Sequence, residues 1–255
     1  MAGASGASVV GLTADTGPQT PAAFIDRMLV DGAPVAGGRV VAVMVASVDG
    51  KTAVRGRSGA LGHPADRAVF RELRGRADAL LVGSATIAAE GYGTLIDPET
   101  AERRAARGQG AHPLVATISR GLALPMTSAL LQSPGVPVLV FTNAGAAVEV
   151  PAVAAELDVV RVSREELTPQ LIVDTVHSAA GELIVCEGGA TLLALLLAAD
   201  VVDDLLLTIA PFWAGGDGQV PLAGPSHGGS RVLQLAAAAR ADDHLFLHYR
   251  VTTSD

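Results

Sequence analysis

The chain has 255 residues, and its 26 acidic and 18 basic side chains leave a net charge of -8. This acidic balance argues against a general nucleic-acid-binding protein, which needs a surplus of positive charge. Apolar residues make up 49% of the sequence, enough for the substantial core of an α/β domain. The single cysteine, Cys186, excludes an intrachain disulfide and any cysteine-rich zinc site.

No segment is predicted to cross a membrane. The longest apolar stretch, residues 191–202, has about a dozen residues, whereas a membrane-spanning helix needs about 20. Residues 1–26 contain no Lys or Arg and no continuous apolar run, so a signal peptide is not expected. These features predict a cytoplasmic protein.

The N-terminal part, residues 1–37, is predicted to be a flexible arm, because its first 20 residues are rich in Gly, Ala, Ser and Thr. Residues 21–29 could form one short helix within it. A single domain is predicted over residues 38–252, where strand-like and helix-like segments alternate. Strands are predicted at 40–46, 78–82, 113–118, 136–142, 159–162, 182–186 and 205–210, and helices at 64–76, 84–90, 150–157, 168–180 and 190–199.

Two further segments complete the predicted architecture. The polar segment 92–111 is compatible with either a surface loop or a helix. Residues 231–239 and 244–251 are predicted to form an antiparallel pair. The repeated alternation of strand and helix indicates an α/β fold with a mostly parallel central sheet, helices on both of its faces and an antiparallel C-terminal edge.

A Gly-Gly pair follows the predicted strand at 182–186. Gly188 and Gly189 would let the backbone come close to a ligand, and the next helix offers N–H groups and a positive dipole end to a phosphate. The same pair is also compatible with a plain tight turn. A phosphate-loop motif ending at Gly50 is excluded, because Val45 stands where its first glycine is required.

Glu187 ends an apolar strand, where its carboxylate needs hydrogen-bond donors. It is expected either to cap the amides of Gly189 and Ala190 or to face a ligand. After the first strand come Asp49 and Lys51, which by themselves are typical of an ordinary turn. All these residues follow predicted strands, where open α/β sheets bind their ligands.

Three arginines, Arg67, Arg71 and Arg74, share one face of the predicted helix at 64–76. This stripe could bind an anion, or it could be a solvated face paired with neighbouring acids. The six histidines are scattered and lack a cysteine or carboxylate partner nearby, so no metal site is predicted.

Four segments together resemble the reductase domain of bifunctional riboflavin-biosynthesis proteins. Residues 44–51 are similar to its S-L-D-G-K segment, and residues 67–86 to its L-R and D-A-I-L-V-G-x-x-T segments. Residues 186–192 are similar to its E-G-G-P-T-L segment. Residues 202–216 are similar to its V-D-E-L, I-x-P and G-G signals. The similarity covers about residues 39–250.

The resemblance implies a dihydrofolate-reductase-like fold, NADPH as hydride donor, a small heterocyclic substrate and a homodimer. Members of the family reduce the ribosyl group of a phosphoribosylamino-pyrimidine to a ribityl group. The deaminase domain that often precedes this one is expected to be absent, because residues 1–38 are too short and lack its zinc-binding pattern.

The resemblance also implies roles for individual residues. Lys51 would hold the pyrimidine carbonyl, Glu187 the polar edge of the substrate, and Asp49 would support the pocket. Arg74 would contact the substrate phosphate, and Arg120, placed after the third strand, could meet the 2′-phosphate of NADPH. The other cofactor contacts would be Ala46, Thr86, Glu90, Ser119, Gly188, Gly189, Ala190, Thr191 and Leu192.

The chain departs from the family in two places. The segment after Lys51 is shorter by about three residues and lacks a serine and a tryptophan that contact substrate and cofactor. Asp97 stands where the family has an arginine for the substrate phosphate, and an acid there would repel it. Three functions stay open: a riboflavin-pathway pyrimidine reductase, a reductase of dihydrofolate or another pterin, and a non-catalytic nucleotide-binding relative.

Overall fold

The computed structural model of the protein describes residues 19–31, 37–54, 57–93, 95–143, 145, 148–216 and 232–252. Its elements are, in chain order, α1 (Pro21–Asp31), β1 (Arg39–Ser47), a 3₁₀ turn (Gly59–Leu61), α2 (Pro64–Arg76), β2 (Ala79–Leu81), α3 (Ser84–Glu90), α4 (Pro98–Ala106), β3 (Leu114–Ile118), β4 (Pro137–Thr142), β5 (Glu156–Arg161), α5 (Pro169–Ala180), β6 (Leu183–Cys186), α6 (Ala190–Ala198), β7 (Asp204–Ala210), β8 (Leu233–Ala241) and β9 (His244–Val251).

Within the described residues, nine strands form one sheet in the order β5-β4-β3-β2-β6-β1-β7-β9-β8. The first seven strands in this order are parallel, whereas β9 pairs antiparallel with β7, and β8 with β9. Cys186 at the end of β6 lies beside Leu81 at the end of β2, so the carboxyl ends of the central strands meet at one end of the sheet. The predicted parallel sheet with an antiparallel C-terminal edge is confirmed.

Apolar side chains cover both faces of the sheet. On one face, α1, α2 and α3 contribute Ile25, Leu73 and Ile87 to a core layer. On the other face, α5 and α6 contribute Val176 and Leu196 to a second layer. The predicted helices on both faces are therefore confirmed. In the described part of the chain, every helix is too short or too polar to span a membrane.

Helix α1 belongs to the folded domain, which corrects the predicted flexible arm over residues 1–37. Its side chains Phe24, Ile25 and Met28 are at most 5% exposed, and the Phe24 ring meets Phe246 edge-on at 6.3 Å. Because burial of these side chains holds α1 on the core, residues 21–31 pack as part of the folded domain and not as a free arm. Residues 1–18 lie outside the described residues.

Arg39, at the start of β1, joins α1 to the sheet. Its Nη1 and Nη2 atoms donate to the carbonyls of Leu29 and Met28 at 2.8 and 3.1 Å, and its Nε donates to Asp204 at 2.6 Å. The other oxygen of Asp204 lies 2.6 Å from Nε2 of His248. Burial opposes the charged carboxylate, but the hydrogen bonds with His248 and Arg39 outweigh it and lower the pKa of Asp204.

Two local predictions change. The predicted helix at 150–157 is wrong, because β5 starts at Glu156 and the residues before it have no regular structure. This strand lies at the edge of the sheet beside β4, so exposure alternates along its first residues with a period of two. In the segment 92–111, α4 forms because Asp97 caps its first turn and Pro98 occupies its first position.

The C-terminal pair of strands, β8 and β9, is joined by a turn in which Asp242 has a φ of +48°. The predicted antiparallel pair is confirmed, although residue 231 lies outside the described residues. β8 is an edge strand of nine residues, and its Leu235 is exposed.

Candidate active site

A cavity of about 1070 Å³ opens at the carboxyl ends of the central strands, where open α/β sheets bind ligands. Its walls come from the segments after β1, β2, β3 and β6, from one face of α2 and from the start of α6. The predicted site residues in this lining are Arg74, Thr86, Glu90, Ser119, Arg120, Glu187, Gly189, Ala190, Thr191 and Leu192. Those outside the lining are Ala46, Asp49, Lys51 and Gly188.

Glu187 lies at the centre of a buried charged group. Its Oε1 accepts from Nε of Arg74 at 2.8 Å, and its Oε2 accepts from Nη2 of Arg74 at 2.7 Å and from the Tyr92 hydroxyl at 2.5 Å. The Glu187 side chain is 0% exposed and that of Arg74 is 17% exposed. The carboxylate thus binds two side chains, and not the amides of Gly189 and Ala190 that were one of the predicted alternatives.

The ends of two helices place the partners of Glu187. Arg74 lies in the last turn of α2, where its Cζ is 4.6 Å from the centre of the Phe70 ring. Gly91, with a φ of +63°, ends α3 in a left-handed conformation, and the Tyr92 ring then lies 5.4 Å from the Arg74 Cζ. Arg71 is exposed and outside the cavity lining, whereas Arg67 and Arg74 line the cavity, so anion binding by this stripe stays a prediction for those two residues.

Burial and the neighbouring Glu187 carboxylate raise the pKa of Tyr92 well above its ordinary value. The phenol therefore stays protonated and donates its hydrogen bond. Burial alone would lower the pKa of Arg74, but the ion pair with Glu187 outweighs burial and raises it. The sequence did not single out Tyr92, because only its contact with a carboxylate 95 residues away in the chain reveals it.

The turn after β1 holds the other two predicted catalytic residues. Asp49 accepts hydrogen bonds from the Ser47 hydroxyl at 2.6 Å and from the amides of residues 214–215 at 2.9 and 2.8 Å. These hydrogen bonds, led by that from Ser47, lower the pKa of Asp49 to about 2. Lys51 is half-buried and directly precedes residues 52–53, which line the cavity.

Close backbone packing joins the segments after β2 and β6. The Gly83 amide donates to the Gly188 carbonyl at 2.8 Å. A Cβ atom added to Gly189 would lie 2.9 Å from Oγ1 of Thr86, and one added to Gly188, whose φ is +82°, would lie 3.2 Å from Sδ of Met44. Packing within the protein therefore leaves little room for a side chain at either glycine. The two predicted explanations of the pair, a tight turn and the close approach of a ligand to the backbone, are compatible with each other.

Helix α6 starts at the cavity wall. Gly189 is its N-cap and makes no side-chain cap, and Ala190 is its first residue. A helix start directs N–H groups and a positive dipole end outward, which suits an anionic ligand. Thr86, predicted to contact the cofactor, lies beside this helix start: its Oγ1 is 2.9 Å from the position that a Cβ atom on Gly189 would occupy.

Of three other predicted cofactor contacts, Glu90 and Ser119 make local hydrogen bonds through their side chains. Glu90 accepts from the Ser58 amide at 3.0 Å, and the buried Ser119 hydroxyl donates to the Ala123 carbonyl at 2.9 Å. Arg120 is exposed at the cavity wall. Their roles toward a cofactor stay predictions.

Two acidic residues change the expected charge of the site. Asp66, which the sequence did not single out, lines the cavity, and burial raises its pKa although a hydrogen bond with Thr208 opposes this. Asp97 does not line the cavity, and it accepts from the Thr100 amide at 2.8 Å and hydroxyl at 3.0 Å at the start of α4. The expected repulsion of a substrate phosphate by Asp97 therefore needs correction.

The fold and the cavity are those of an α/β enzyme with its ligand site at the carboxyl ends of parallel strands. Residues 39–244 match the family described as "RibD C-terminal domain". The chain belongs to this family, and the resemblance found in the sequence is confirmed.

Three proteins similar to this chain are described as reductases or as reductase-like. The 2,5-diamino-6-ribosylamino-4(3H)-pyrimidinone 5′-phosphate reductase of Archaeoglobus fulgidus is 23% identical over 68% of this chain and 80% of its own length. The reductase of the same name from Methanothermobacter thermautotrophicus is 25% identical over 67% and 76%, respectively. The crystal structure of a pyrimidine reductase-like protein from Corynebacterium diphtheriae has a TM-score of 0.77 and 25% identity, covering 92% of this chain and all of that one. The predicted class, an oxidoreductase related to riboflavin-pathway reductases, is confirmed.

Proposed function

We propose that the protein is an NADPH-dependent reductase that converts the ribosyl group of a phosphoribosylamino-pyrimidine into a ribityl group during riboflavin biosynthesis. The observation that carries this proposal is that one cavity joins a glycine-built helix start to a buried Arg–Glu–Tyr group. The first suits the phosphates of a dinucleotide and the second suits a polar heterocycle. Both adjoin the turn after β6, because Glu187 and Gly189, the N-cap of α6, are two residues apart in the chain.

The cofactor would lie along Thr86 and the start of α6. Gly189 and Ala190 supply backbone without bulk at the helix dipole, and this fits a pyrophosphate. Arg120, exposed at the wall beyond β3, would meet the 2′-phosphate and favour NADPH over NADH. When bound, NADPH supplies the hydride.

The substrate would occupy the side of the cavity formed by α2 and the loop after α3. Reduction breaks the C1′–O4′ bond of the ribosyl group, forms a C1′–H bond with the hydride and places a proton on O4′. Arg74 offers positive charge to the substrate, and Lys51 follows the strand that ends beside the cavity. Asp49 holds that turn in place through its bonds to residues 214–215.

The proposal also includes a homodimer and a cytoplasmic location. An edge strand of nine residues, β8, can pair with a second copy of the chain, which supports a homodimer. A cytoplasmic location, as predicted from the sequence, would be compatible with the use of NADPH and a small polar substrate.

The experiment that tests the proposal follows the loss of NADPH with three substrates: 2,5-diamino-6-ribosylamino-4(3H)-pyrimidinone 5′-phosphate, its deaminated uracil counterpart and dihydrofolate. Turnover of either pyrimidine phosphate, with a ribityl product identified by mass spectrometry, is the expected result. Turnover of dihydrofolate alone would replace the proposal with a pterin reductase. Binding of NADPH without turnover of any of the three would favour a non-catalytic relative.

A further inference from the structure

Asp66 brings a carboxylate to the cavity that the proposed function leaves without a role. Three acidic residues line the cavity in the described part of the chain: Asp66, Glu90 and Glu187. Glu187 is paired with Arg74, and Glu90 is exposed and accepts from the Ser58 amide. Asp66 is half-buried in the first turn of α2, about 12 Å along the helix axis from Arg74 in its last turn. It therefore offers negative charge to a ligand at a place apart from the Arg74–Glu187 pair.

The contact of Asp66 with β7 places it near the end of β1. Asp66 forms a hydrogen bond with Thr208, which is buried on β7 and pairs in register with Val45 of β1. Val45 lines the cavity, and β1 ends at Ser47, whose amide donates to the Lys51 carbonyl at 2.8 Å. Asp66 and Lys51 therefore both lie near the carboxyl end of β1. The resemblance gives Lys51 the carbonyl of the pyrimidine, so Asp66 lies where it can meet the same ring.

The Asp66 carboxylate keeps acceptor positions for a ligand. Its two oxygens offer about four lone-pair positions, and the single Thr208 hydroxyl can fill one of them. Burial raises the pKa of Asp66, whereas the Thr208 hydrogen bond and the nearby His244, Arg67 and His63 act against burial. In its ionised form the group only accepts hydrogen bonds. It therefore recognises N–H or O–H donors and repels a carbonyl oxygen.

The two pyrimidine phosphates named in the test of the proposed function differ at ring atom C2. In the 2,5-diamino-pyrimidinone, C2 carries an amino group beside the N3–H group, so two neighbouring donors point the same way. In the uracil counterpart, C2 carries a carbonyl oxygen, which only accepts. A carboxylate can accept from both donors of the first ring, whereas the second ring sets two acceptors against each other. A carboxylate at this wall therefore distinguishes between the two rings.

We propose, building on the proposed function, that Asp66 selects the pyrimidine that still carries its amino group at C2. The carboxylate accepts from that amino group and from N3–H, while Lys51 holds the adjacent ring carbonyl. The uracil counterpart is rejected because its C2 oxygen would face the carboxylate. The ring therefore reaches this enzyme with its amino group in place, and a hydrolytic deamination of the ring has to follow the reduction.

The first test measures kcat/KM for both pyrimidine phosphates in the parent protein and in Asp66→Asn. The parent is expected to prefer the diamino substrate by at least about tenfold. In Asp66→Asn the carboxamide can donate to the C2 oxygen, so this preference should fall roughly ten- to a hundredfold. A parent that prefers the uracil substrate, or an unchanged preference in Asp66→Asn, would overturn the proposal.

The matched control is Asp97→Asn, the same substitution at an acid that caps α4 and lies outside the cavity lining. It should keep the parental preference between the two substrates. The Kd for NADPH should stay at the parental value in both variants, which shows that each is folded. An equal change of preference in Asp97→Asn would mean that the loss of any acid has this effect, and it would overturn the assignment to Asp66.

The preference of the parent should also depend on pH. It should fall as the pH drops through the raised pKa of Asp66, because a protonated carboxyl group can donate to the C2 oxygen. The other charged or titratable groups at this place are Arg67, the His63 and His244 rings, which stack at 4.4 Å, and Asp242, 3.1 Å from His63. Asp66→Asn should abolish the pH dependence, and His244→Gln should keep it. The opposite pattern would assign the titration to the histidines and overturn the role of Asp66.

A binding measurement needs no turnover and so separates this proposal from the proposed function. Titration calorimetry with the two ribityl phosphate products, in the presence of NADP⁺, should show at least about tenfold tighter binding of the 2-amino product. Asp66→Asn should lose this difference. Equal binding of both products by the parent would overturn the role of Asp66 and leave the reductase proposal standing. Selective binding by a protein that reduces neither pyrimidine would instead overturn the proposed function.

Discussion

The two ends of the cavity are built by different means. At the start of α6, the walls are backbone, with Gly83 bonded to Gly188 and no room for a Cβ atom on Gly189. At the other end, the wall is a set of side chains in which Arg74 and Glu187 satisfy each other. The first end should therefore be sensitive to added side-chain atoms, whereas the second should be sensitive to the loss of one charged partner.

The largest expected effect on the backbone-built end of the cavity is the loss of NADPH binding in Gly189→Val. The added side chain would collide with Thr86, 2.9 Å from the position of its Cβ, and would block close approach of a phosphate. We expect NADPH binding to be lost while the circular dichroism spectrum of the folded chain persists. Gly121→Val is the matched control, because nothing lies within 4 Å of a Cβ atom at Gly121. Parental NADPH affinity in Gly189→Val would place the phosphate site elsewhere.

The strongest way to break the side-chain end is Arg74→Ala, which leaves the buried Glu187 carboxylate without its charge partner. Removing one member of a buried ion pair costs about 3–5 kcal/mol of the free energy of unfolding. Urea denaturation should show this loss, and adding Glu187→Gln to the same chain should recover part of it. The control Arg71→Ala, on the exposed face of α2, should change the free energy of unfolding by no more than about 0.5 kcal/mol.

A smaller effect is expected for Arg120, which lies at the cavity wall after β3. If this exposed arginine meets the 2′-phosphate, Arg120→Ala should weaken NADPH binding roughly ten- to a hundredfold, as for the loss of one charged hydrogen bond. NADH binding should not change, because NADH lacks that phosphate. Titration calorimetry with both dinucleotides measures the two constants. An equal loss for both cofactors would contradict the assigned contact.

The smallest effect concerns Asp49, whose carboxylate holds the backbone of residues 214–215. Its pKa is lowered from 3.8 to about 2, so the folded state favours the charged form. The resulting stabilisation is present above pH 3.8 and is lost as the pH falls toward 2. The protection factors of the amides of residues 214–215, which correct exchange rates for their intrinsic pH dependence, should therefore fall as the pH drops through that window. In Asp49→Asn they should be lower already at neutral pH. Asp97→Asn, a change at the start of α4, should leave these two amides unaffected.

The sequence predicted the backbone-built end better than the side-chain end, for a physical reason. Apolar runs fix buried strands, and two glycines between a strand and a helix indicate a close approach, so Gly188 and Gly189 could be recognised locally. The bond between Arg74 and Glu187 joins residues 113 positions apart, and that to Tyr92 joins residues 95 apart. Such pairs depend on which strands become neighbours in the sheet. The local periodicity of apolar residues in the sequence does not contain this information.

The errors in the fold have similar causes. Helix α1 falls within the predicted flexible arm because the preceding residues are small and polar, although the burial of Ile25 and Met28 decides its place. Residues 150–157 contain apolar positions that suit a helix turn, but pairing with β4 imposes an extended strand from Glu156. In both cases a tertiary contact outweighs the local signal.

The network around Arg39 has a consequence for how the chain matures during synthesis. Arg39 leaves the ribosome long before its partner Asp204, which lies 165 residues later, and His248 follows later still. Until those residues arrive, the guanidinium can bind the carbonyls of Met28 and Leu29 but has no carboxylate to neutralise it. The ion pair that ties the first helix and first strand to the sheet can therefore form only once β7 has been synthesised, and His248 on β9 completes it, so a nascent chain stopped before β7 should expose its core to chaperones.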